Sequence, residues 1–132
     1  MSVIVHGPRI AILLFLGFAC ATKLWGGYQP EFAISEGLFW AATILEIGLM
    51  VGLLIRSTRA WALIGCGVLA AVGIGIEFWG RGETCGCLGS MIRLTSAQHV
   101  LLNATLGALA VVAWCQETGV RSVPAGQPAE SA

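Results

Sequence analysis

Charged side chains are scarce in this sequence of 132 residues: Asp, Glu, Lys and Arg make up 11% of it, and aspartate is absent. Soluble domains contain about 25% charged residues, so this composition excludes a soluble enzyme. Seven basic residues balance seven acidic residues. Because a nucleic-acid binder needs an excess of cationic side chains to neutralise phosphates, we expect no nucleic-acid partner.

Hydrophobic residues make up 57% of the sequence, and its mean hydropathy is +0.84. A membrane-spanning helix needs about 20 mostly apolar residues, and the sequence contains four such runs. None of them alternates with a period of two, and an open sheet would leave backbone groups unsatisfied in hydrocarbon. The predicted fold is therefore all-α, an integral membrane four-helix bundle with helices at about residues 10–28, 37–55, 60–79 and 97–115.

We expect a four-helix transmembrane domain over residues 1–116, followed by a disordered polar tail over residues 117–132. The tail lacks the apolar surface that would order it. Pro8 is typical of the first turn of a helix, and the residues from Thr95 to Gln98 have the pattern of a capping box. These two signals predict where the first and fourth helices begin.

The N-terminal segment has an alternative interpretation as a signal peptide. Arg9, the apolar run after it and the small-residue motif Ala19-Cys20-Ala21 together resemble such a peptide and its cleavage site. The apolar run is longer than the roughly 7–15 residues of a usual signal core. We therefore expect this segment to remain as the first transmembrane helix.

The distribution of arginine and lysine predicts the orientation, because these residues concentrate on the cytoplasmic side of a membrane. Four helices place both termini on one side. That side carries Arg9, Arg56, Arg59 and Arg121, and the opposite side carries Lys23, Arg81 and Arg93. We expect a multi-pass protein of the inner (plasma) membrane with both termini in the cytoplasm. The loop over residues 80–96 would then lie outside, where disulfides persist.

The sequence has five cysteines, and only Cys85 and Cys87 lie close together, in a Cys-Gly-Cys motif. The central glycine allows the sharp bend that a bridge between them requires, near the limit of the usual Cα separation. Strained, exposed bridges are easily reduced, so we interpret the two cysteines as a catalytic redox pair. A structural bridge, two inert thiols, or thiolate ligands for Cu(I) or half a zinc site are the alternatives.

A second candidate feature is a set of polar residues inside the apolar runs. Glu46 lies near the middle of the second run, where a charged acid costs about 2.5–3.5 kcal/mol, so it needs a partner or a proton. Lys23 and Cys20 lie one turn apart near the end of the first helix, and His99 and Asn103 share a face of the fourth. We expect these five residues to converge beneath the Cys85–Cys87 loop and assign no metal site to them.

Each polar residue also has a simpler interpretation. Glu46 and Asn103 would then only join helices through hydrogen bonds, and Lys23 would anchor the helix at the interface. His99 would be a hydrated residue of the first helical turn. Cys20 is ambiguous between a resolving thiol and a packing residue. Cys66 and Cys115 are expected to be small packing residues.

Four short motifs follow one another along residues 9–115: Ala19-x-x-x-Lys23-Leu24, Leu45-Glu46-Ile47-Gly48-Leu49, Cys85-Gly86-Cys87-Leu88-Gly89 and His99-x-x-x-Asn103. In this order they resemble the MauE/DoxX-type family of small redox-associated membrane proteins. The resemblance implies a four-helix bundle that handles thiols and disulfides of exported partners, with the family's cysteine pair on Cys85 and Cys87 and its acid on Glu46. Methylamine-utilisation members are linked to maturation of a periplasmic, disulfide-rich dehydrogenase subunit.

Three departures from that family limit what we carry over. Leu88 stands where the family often has phenylalanine, the chain is shorter than the methylamine-linked members, and the family's pattern gives no reason to expect Cys20. We therefore expect the fold and the redox association, but not the methylamine role.

The predicted function is a membrane thiol–disulfide protein that assists disulfide formation or maturation of an exported, thiol- or disulfide-containing partner, acting within a membrane complex. A separate electron partner is expected, either a quinone or a thioredoxin-like protein. A self-sufficient quinone oxidase is not expected, because four-span enzymes of that kind carry a second cysteine pair. The rival functions are a non-catalytic membrane scaffold with a structural disulfide and a metal-handling membrane protein.

Overall fold

The structure is a computed structural model that describes residues 2–32, 34–79, 88 and 94–119. This part of the chain folds into four helices and no β-strand: α1 (Ser2–Gly26), α2 (Glu36–Leu54), α3 (Arg59–Trp79) and α4 (Ser96–Gly119). All four helices are long and apolar enough to cross a membrane. The predicted all-α four-helix architecture is confirmed.

The predicted bounds hold for α2 and α3, but two other helix ends differ from the prediction. Helix α1 begins at Ser2, so Pro8 lies inside the helix and not in its first turn. The missing N–H of a proline removes one backbone hydrogen bond, and membrane helices tolerate this loss. Helix α4 continues past the predicted end at residue 115 to Gly119, so residues 117–119 belong to the bundle. Residues 120–132 of the predicted tail lie outside the described part of the chain.

Local side-chain and backbone hydrogen bonds define several helix ends. The Thr95 backbone N–H donates to Gln98 Oε1 at 2.9 Å, and the Gln98 N–H donates to Thr95 Oγ1 at 3.4 Å. This reciprocal pair is the predicted capping box of α4. Gly27, at a φ of +66°, ends α1 with its N–H donating to the Lys23 carbonyl at 2.8 Å. The left-handed conformation there favours glycine.

The helices run up and down in sequence order, and α4 returns to pack on α1. We call the end where α1 begins and α4 ends the terminal end, and the end where α1 ends and α4 begins the loop end. At the terminal end, Arg9 Nη1 lies 2.6 Å from Glu117 Oε1, and Arg59 Nη1 lies 3.2 Å from the same oxygen. This three-way ion pair joins α1, α3 and α4 and explains why α4 extends to Gly119.

The interior changes character along the bundle axis. Buried apolar residues fill the half toward the terminal end, among them Ile12, Leu16, Leu53, Leu63, Cys66 and Ala110. Buried polar residues and one thiol lie in the half toward the loop end: Cys20, Thr22, Lys23, Thr43, Glu46, His99 and Asn103. The polar groups are therefore gathered in one half of the bundle.

The outer surface is strongly apolar on every helix. Leu14, Ile44, Val68 and Leu101, one from each helix, are each more than half exposed. A soluble monomer rarely exposes so much apolar surface. Tryptophans lie near both ends of the bundle, with Trp25, Trp40 and Trp79 toward the loop end and Trp61 and Trp114 toward the terminal end. This arrangement fits a multi-pass membrane protein with two interfacial aromatic belts.

Candidate functional site

The centre of the polar half is an ion pair between α1 and α2. Lys23 Nζ lies 2.6 Å from Glu46 Oε1, and the two side chains are 3% and 7% exposed. Lys23 belongs to the last turn of α1, whereas Glu46 lies in the middle of α2. Because each charge compensates the other, neither is left unpaired in a low-dielectric interior.

The thiol of Cys20 completes the surroundings of that carboxylate. Cys20 Sγ donates to Glu46 Oε2 at 3.5 Å, so the two carboxylate oxygens have different partners. Cys20 lies one turn before Lys23, so α1 presents both groups to the same acid. The structure thus brings together three of the residues that the sequence analysis expected to converge.

His99 and Asn103 lie on the buried face of α4. Asn103 Nδ2 donates to the His99 carbonyl at 3.0 Å. The site depends on Gly73 of α3, because a Cβ atom there would lie 2.8 Å from Asn103 Oδ1. His99 and Asn103 are therefore held in place by the close approach of α3 to α4.

Two buried polar atoms near the loop end have no hydrogen-bond partner among the described residues. They are His99 Nδ1 and Glu77 Oε2. The Glu77 carboxylate also acts electrostatically on the His99 ring. Buried polar groups are normally paired, so a partner for each of these two atoms has to come from outside the described residues.

A cavity of about 500 Å³ lies between the four helices in this half of the bundle. Lys23, Glu46, His99 and Asn103 line its polar part, and apolar side chains from all four helices line the rest. Phe39, which is fully buried, forms part of the wall and stacks on Phe32 at a centroid distance of 5.7 Å. The site is a mostly apolar chamber with polar groups at one end, which is the usual composition of a small-molecule site.

The predicted redox cysteines, Cys85 and Cys87, lie outside the described residues. Leu88, the next residue after Cys87 in the sequence, is described. It is 5% exposed and lines the same cavity as Lys23, Glu46 and His99. A residue adjoining the Cys-Gly-Cys motif is thus buried in the wall of this cavity.

The remaining cysteines differ from each other in environment. Cys66 is fully buried in the apolar core, which confirms its predicted packing role. Cys115 is exposed on α4, so the prediction that it packs inside the bundle is wrong. The described residues contain no group of three or more metal-ligating side chains.

Several residues of the site were missed by the sequence analysis. Thr43 is buried beside the site, with its hydroxyl donating to the Phe39 carbonyl at 3.0 Å. Glu77 and Gly73 were not singled out either. An acid near a predicted helix end and a glycine among many glycines give no signal in a single sequence.

Comparison with known proteins adds no assignment: no family model, no curated protein and no solved structure matches the chain.

Proposed function

We propose that this protein is an integral membrane thiol–disulfide protein that assists disulfide formation or maturation of exported partners through Cys85 and Cys87. The proposal includes a location in the plasma membrane with both termini in the cytoplasm. The proposal also includes membership of the MauE/DoxX-type family, which the sequence motifs suggest.

The observation that carries the proposal is the burial of Leu88 in the wall of the cavity that Lys23, Glu46 and His99 also line. Consecutive Cα atoms are separated by about 3.8 Å, so a residue next to Cys87 lines the chamber that holds the Lys23–Glu46 pair and His99 Nδ1, which has no partner among the described residues. Cys87 is therefore joined by one peptide bond to a residue of this chamber.

The proposed reaction is thiol–disulfide exchange. A thiolate of the partner attacks the Cys85–Cys87 disulfide and forms a mixed disulfide, and one cysteine of the pair leaves as a thiolate. The second partner thiol then displaces the other cysteine, so the partner gains a disulfide and the pair becomes a dithiol. Two electrons pass from partner to pair, and a quinone or a thioredoxin-like protein removes them.

The polar residues would support this exchange in two ways: some would transfer protons, and others would hold the site in a fixed geometry. The leaving thiolate needs a proton, and attacking thiols must lose theirs. His99 Nδ1 and Glu77 Oε2 are buried, unpartnered among the described residues and within electrostatic range of each other. The neutral Lys23–Glu46 pair would fix the floor of the site without adding net charge.

The proposed orientation is supported by the charges at the terminal end. Arg9 and Arg59 lie there around a single glutamate, Glu117, and Arg56 lies in the adjoining loop between α2 and α3. An excess of arginine is typical of the cytoplasmic side, which would place Cys85 and Cys87 outside.

Thiol trapping in intact cells tests the proposal. Cells expressing the protein are quenched with acid, free thiols are alkylated with a mass-tagged maleimide, and the redox state of Cys85 and Cys87 is read from gel mobility. We expect the pair to be oxidised at rest and to become reduced when an exported thiol protein is overproduced. Cys85→Ser and Cys87→Ser should both slow oxidation of that exported protein.

Cys66→Ser and Cys115→Ser are the matched controls, because one thiol is in the apolar core and the other is exposed on α4. Neither control should change oxidation of the exported protein. Unchanged oxidation in both the Cys85 and Cys87 variants would refute the redox function and favour the scaffold. Stoichiometric copper or zinc in the purified protein would favour a metal-handling role.

A further inference from the structure

Two arginines share one carboxylate at the terminal end of the bundle. Arg9 of α1 and Arg59 of α3 both donate to Glu117 Oε1, at 2.6 and 3.2 Å, and their side chains are 17% and 18% exposed. One carboxylate balances one guanidinium, so these three residues, which we call the arginine cluster, retain one positive charge. A single arginine paired with Glu117 would join two helices and leave no uncompensated, largely buried charge. The second arginine therefore needs a further explanation.

The surroundings of the arginine cluster are also positive. Arg56 is exposed at the same end, in the loop between α2 and α3. The other acidic residues of the described ranges lie in the middle of α2 or toward the loop end: Glu31, Glu36, Glu46 and Glu77. The described part of the terminal end thus carries three arginines and one glutamate, a charge balance that attracts an anion.

Several donors of the two guanidinium groups are unused within the described part of the chain. A guanidinium has five N–H donors. Arg9 donates through Nη1 alone, whereas Arg59 donates through Nη1 to Glu117 and through Nε to the Leu53 carbonyl at 3.2 Å. The Nη2 groups of both arginines have no acceptor among the described residues, and guanidinium forks are well suited to phosphate oxygens.

The beginning of α3 adds to this positive potential. Arg59 is the first residue of α3, whose first turn contains no acidic residue. The hydroxyl of the preceding residue, Thr58, donates to the carbonyls of Gly52 and Ile55 at 3.0 and 3.4 Å, rather than accepting from the N–H groups of that turn. The N–H groups and the dipole at the beginning of a helix favour an anion.

We infer that the arginine cluster binds the phosphate of an anionic phospholipid of the phosphatidylglycerol class. The phosphate oxygens accept from the Nη2 groups of Arg9 and Arg59. The next residue after Arg9, Ile10, is 54% exposed, and Trp61, two residues after Arg59, is 75% exposed. The acyl chains lie along this apolar surface, which a free phosphate ion cannot use. The excess positive charge selects an anionic headgroup over a zwitterionic one.

The test titrates dioleoylphosphatidylglycerol into the purified full-length protein in a nonionic detergent and counts bound lipids by native mass spectrometry. We expect a saturable complex with a Kd about fivefold below that of dioleoylphosphatidylcholine. Arg9→Gln and Arg59→Gln should each raise the Kd of the anionic lipid by about fivefold, because each removes one positive charge. Inorganic phosphate at the concentration of the lipid should not displace it.

Glu117→Gln separates lipid binding from a role in joining the helices. This substitution removes the negative charge of the arginine cluster, so the anionic lipid should bind about fivefold more tightly. If the cluster only joined helices, the same variant would bind the lipid no better. Glu36→Gln is the matched control, since Glu36 is exposed in the first turn of α2 at the opposite end of the bundle, and it should leave the Kd unchanged.

Four results would overturn the inference: equal affinity for the two lipids, unchanged binding in both arginine variants, a Glu117→Gln protein that binds no better than the Glu36→Gln protein, or displacement of the lipid by inorganic phosphate. Circular dichroism of each variant verifies that its helix content is that of the wild type. Lipid binding uses neither Cys85 nor Cys87, so its failure would refute only this inference and leave the proposed thiol exchange unaffected.

Discussion

Replacing Glu46 by leucine would leave the Lys23 ammonium buried without a counter-charge. The side chain of Lys23 is 3% exposed, and Glu46 is its ion-pair partner at 2.6 Å. Removing one member of a buried pair costs about 3–5 kcal/mol, and a central charge in a membrane costs about 2.5–3.5 kcal/mol. Because Lys23 lies in the last turn of α1, its flexible stem can reach toward the interface and recover part of this cost. We expect the Glu46→Leu protein to lose about 3 kcal/mol of unfolding free energy.

The double variant Lys23→Met/Glu46→Leu removes both charges and keeps the side-chain volumes similar. Buried pairs replaced by apolar residues are often neutral or stabilising, so we expect its stability within about 1 kcal/mol of the wild type. The coupling energy of the double-mutant cycle should therefore be at least about 2 kcal/mol.

The free energies are measured by reversible unfolding in mixed micelles with increasing dodecyl sulfate, followed by circular dichroism. Glu117→Gln is the control, since that carboxylate also pairs with arginine but its side chain is 24% exposed, and its loss should cost only about 1 kcal/mol. A Glu46→Leu protein no less stable than the Glu117→Gln protein would refute the buried pair. So would a double variant as unstable as the sum of the single variants.

Three further predictions use the same unfolding measurement. Gly73→Ala should lower the free energy of unfolding by about 1–3 kcal/mol, because the new methyl group pushes Asn103 aside. Gly75→Ala, with open space around its Cβ position, should be neutral or stabilising. Equal effects of the two variants would contradict the close contact between Gly73 and Asn103. Thr95→Ala should cost about 1 kcal/mol through loss of the cap. Thr118→Ala, whose hydroxyl donates to the Trp114 and Cys115 carbonyls of its own helix, should cost less. Cys20→Ser should retain the hydrogen bond to Glu46 and leave the stability nearly unchanged. Cys20→Val should lower the free energy of unfolding by about 1 kcal/mol. Identical stabilities of the two variants would argue against that hydrogen bond.

The extent of the helices could be predicted because hydropathy over a membrane-spanning length is a strong signal. The bounds of α2 and α3 agree with the structure within one residue. The ends of α1 and α4 do not, because a proline that starts soluble helices is tolerated inside a membrane helix, and because the ion pairs of Glu117 extend α4. The second cause is tertiary and leaves no local signal in the sequence.

The ion pair between Lys23 and Glu46 could be expected from the cost of burying a charge, since an acid in the middle of the membrane requires a partner. Lys23 lies at a compatible depth. The cavity could not be expected in this way. Helices that are apolar almost all round give no periodicity from which to read the buried face. The contact between Gly73 and Asn103, and the set of residues that line the cavity, depend on helix rotations that hydropathy does not determine.

The division of the interior argues that the loop-end half has a role beyond anchoring. The terminal half is closed by apolar packing from Ile12, Leu16, Leu53 and Leu63, and the same packing continued through the bundle would give a stable anchor. The loop-end half instead buries an ion pair, a histidine and an asparagine around a cavity. Such groups rarely add stability over apolar residues of similar volume, and ionisable residues within membrane segments characteristically mark sites of function. The cost of this half is explained if the bundle holds a ligand or moves protons there.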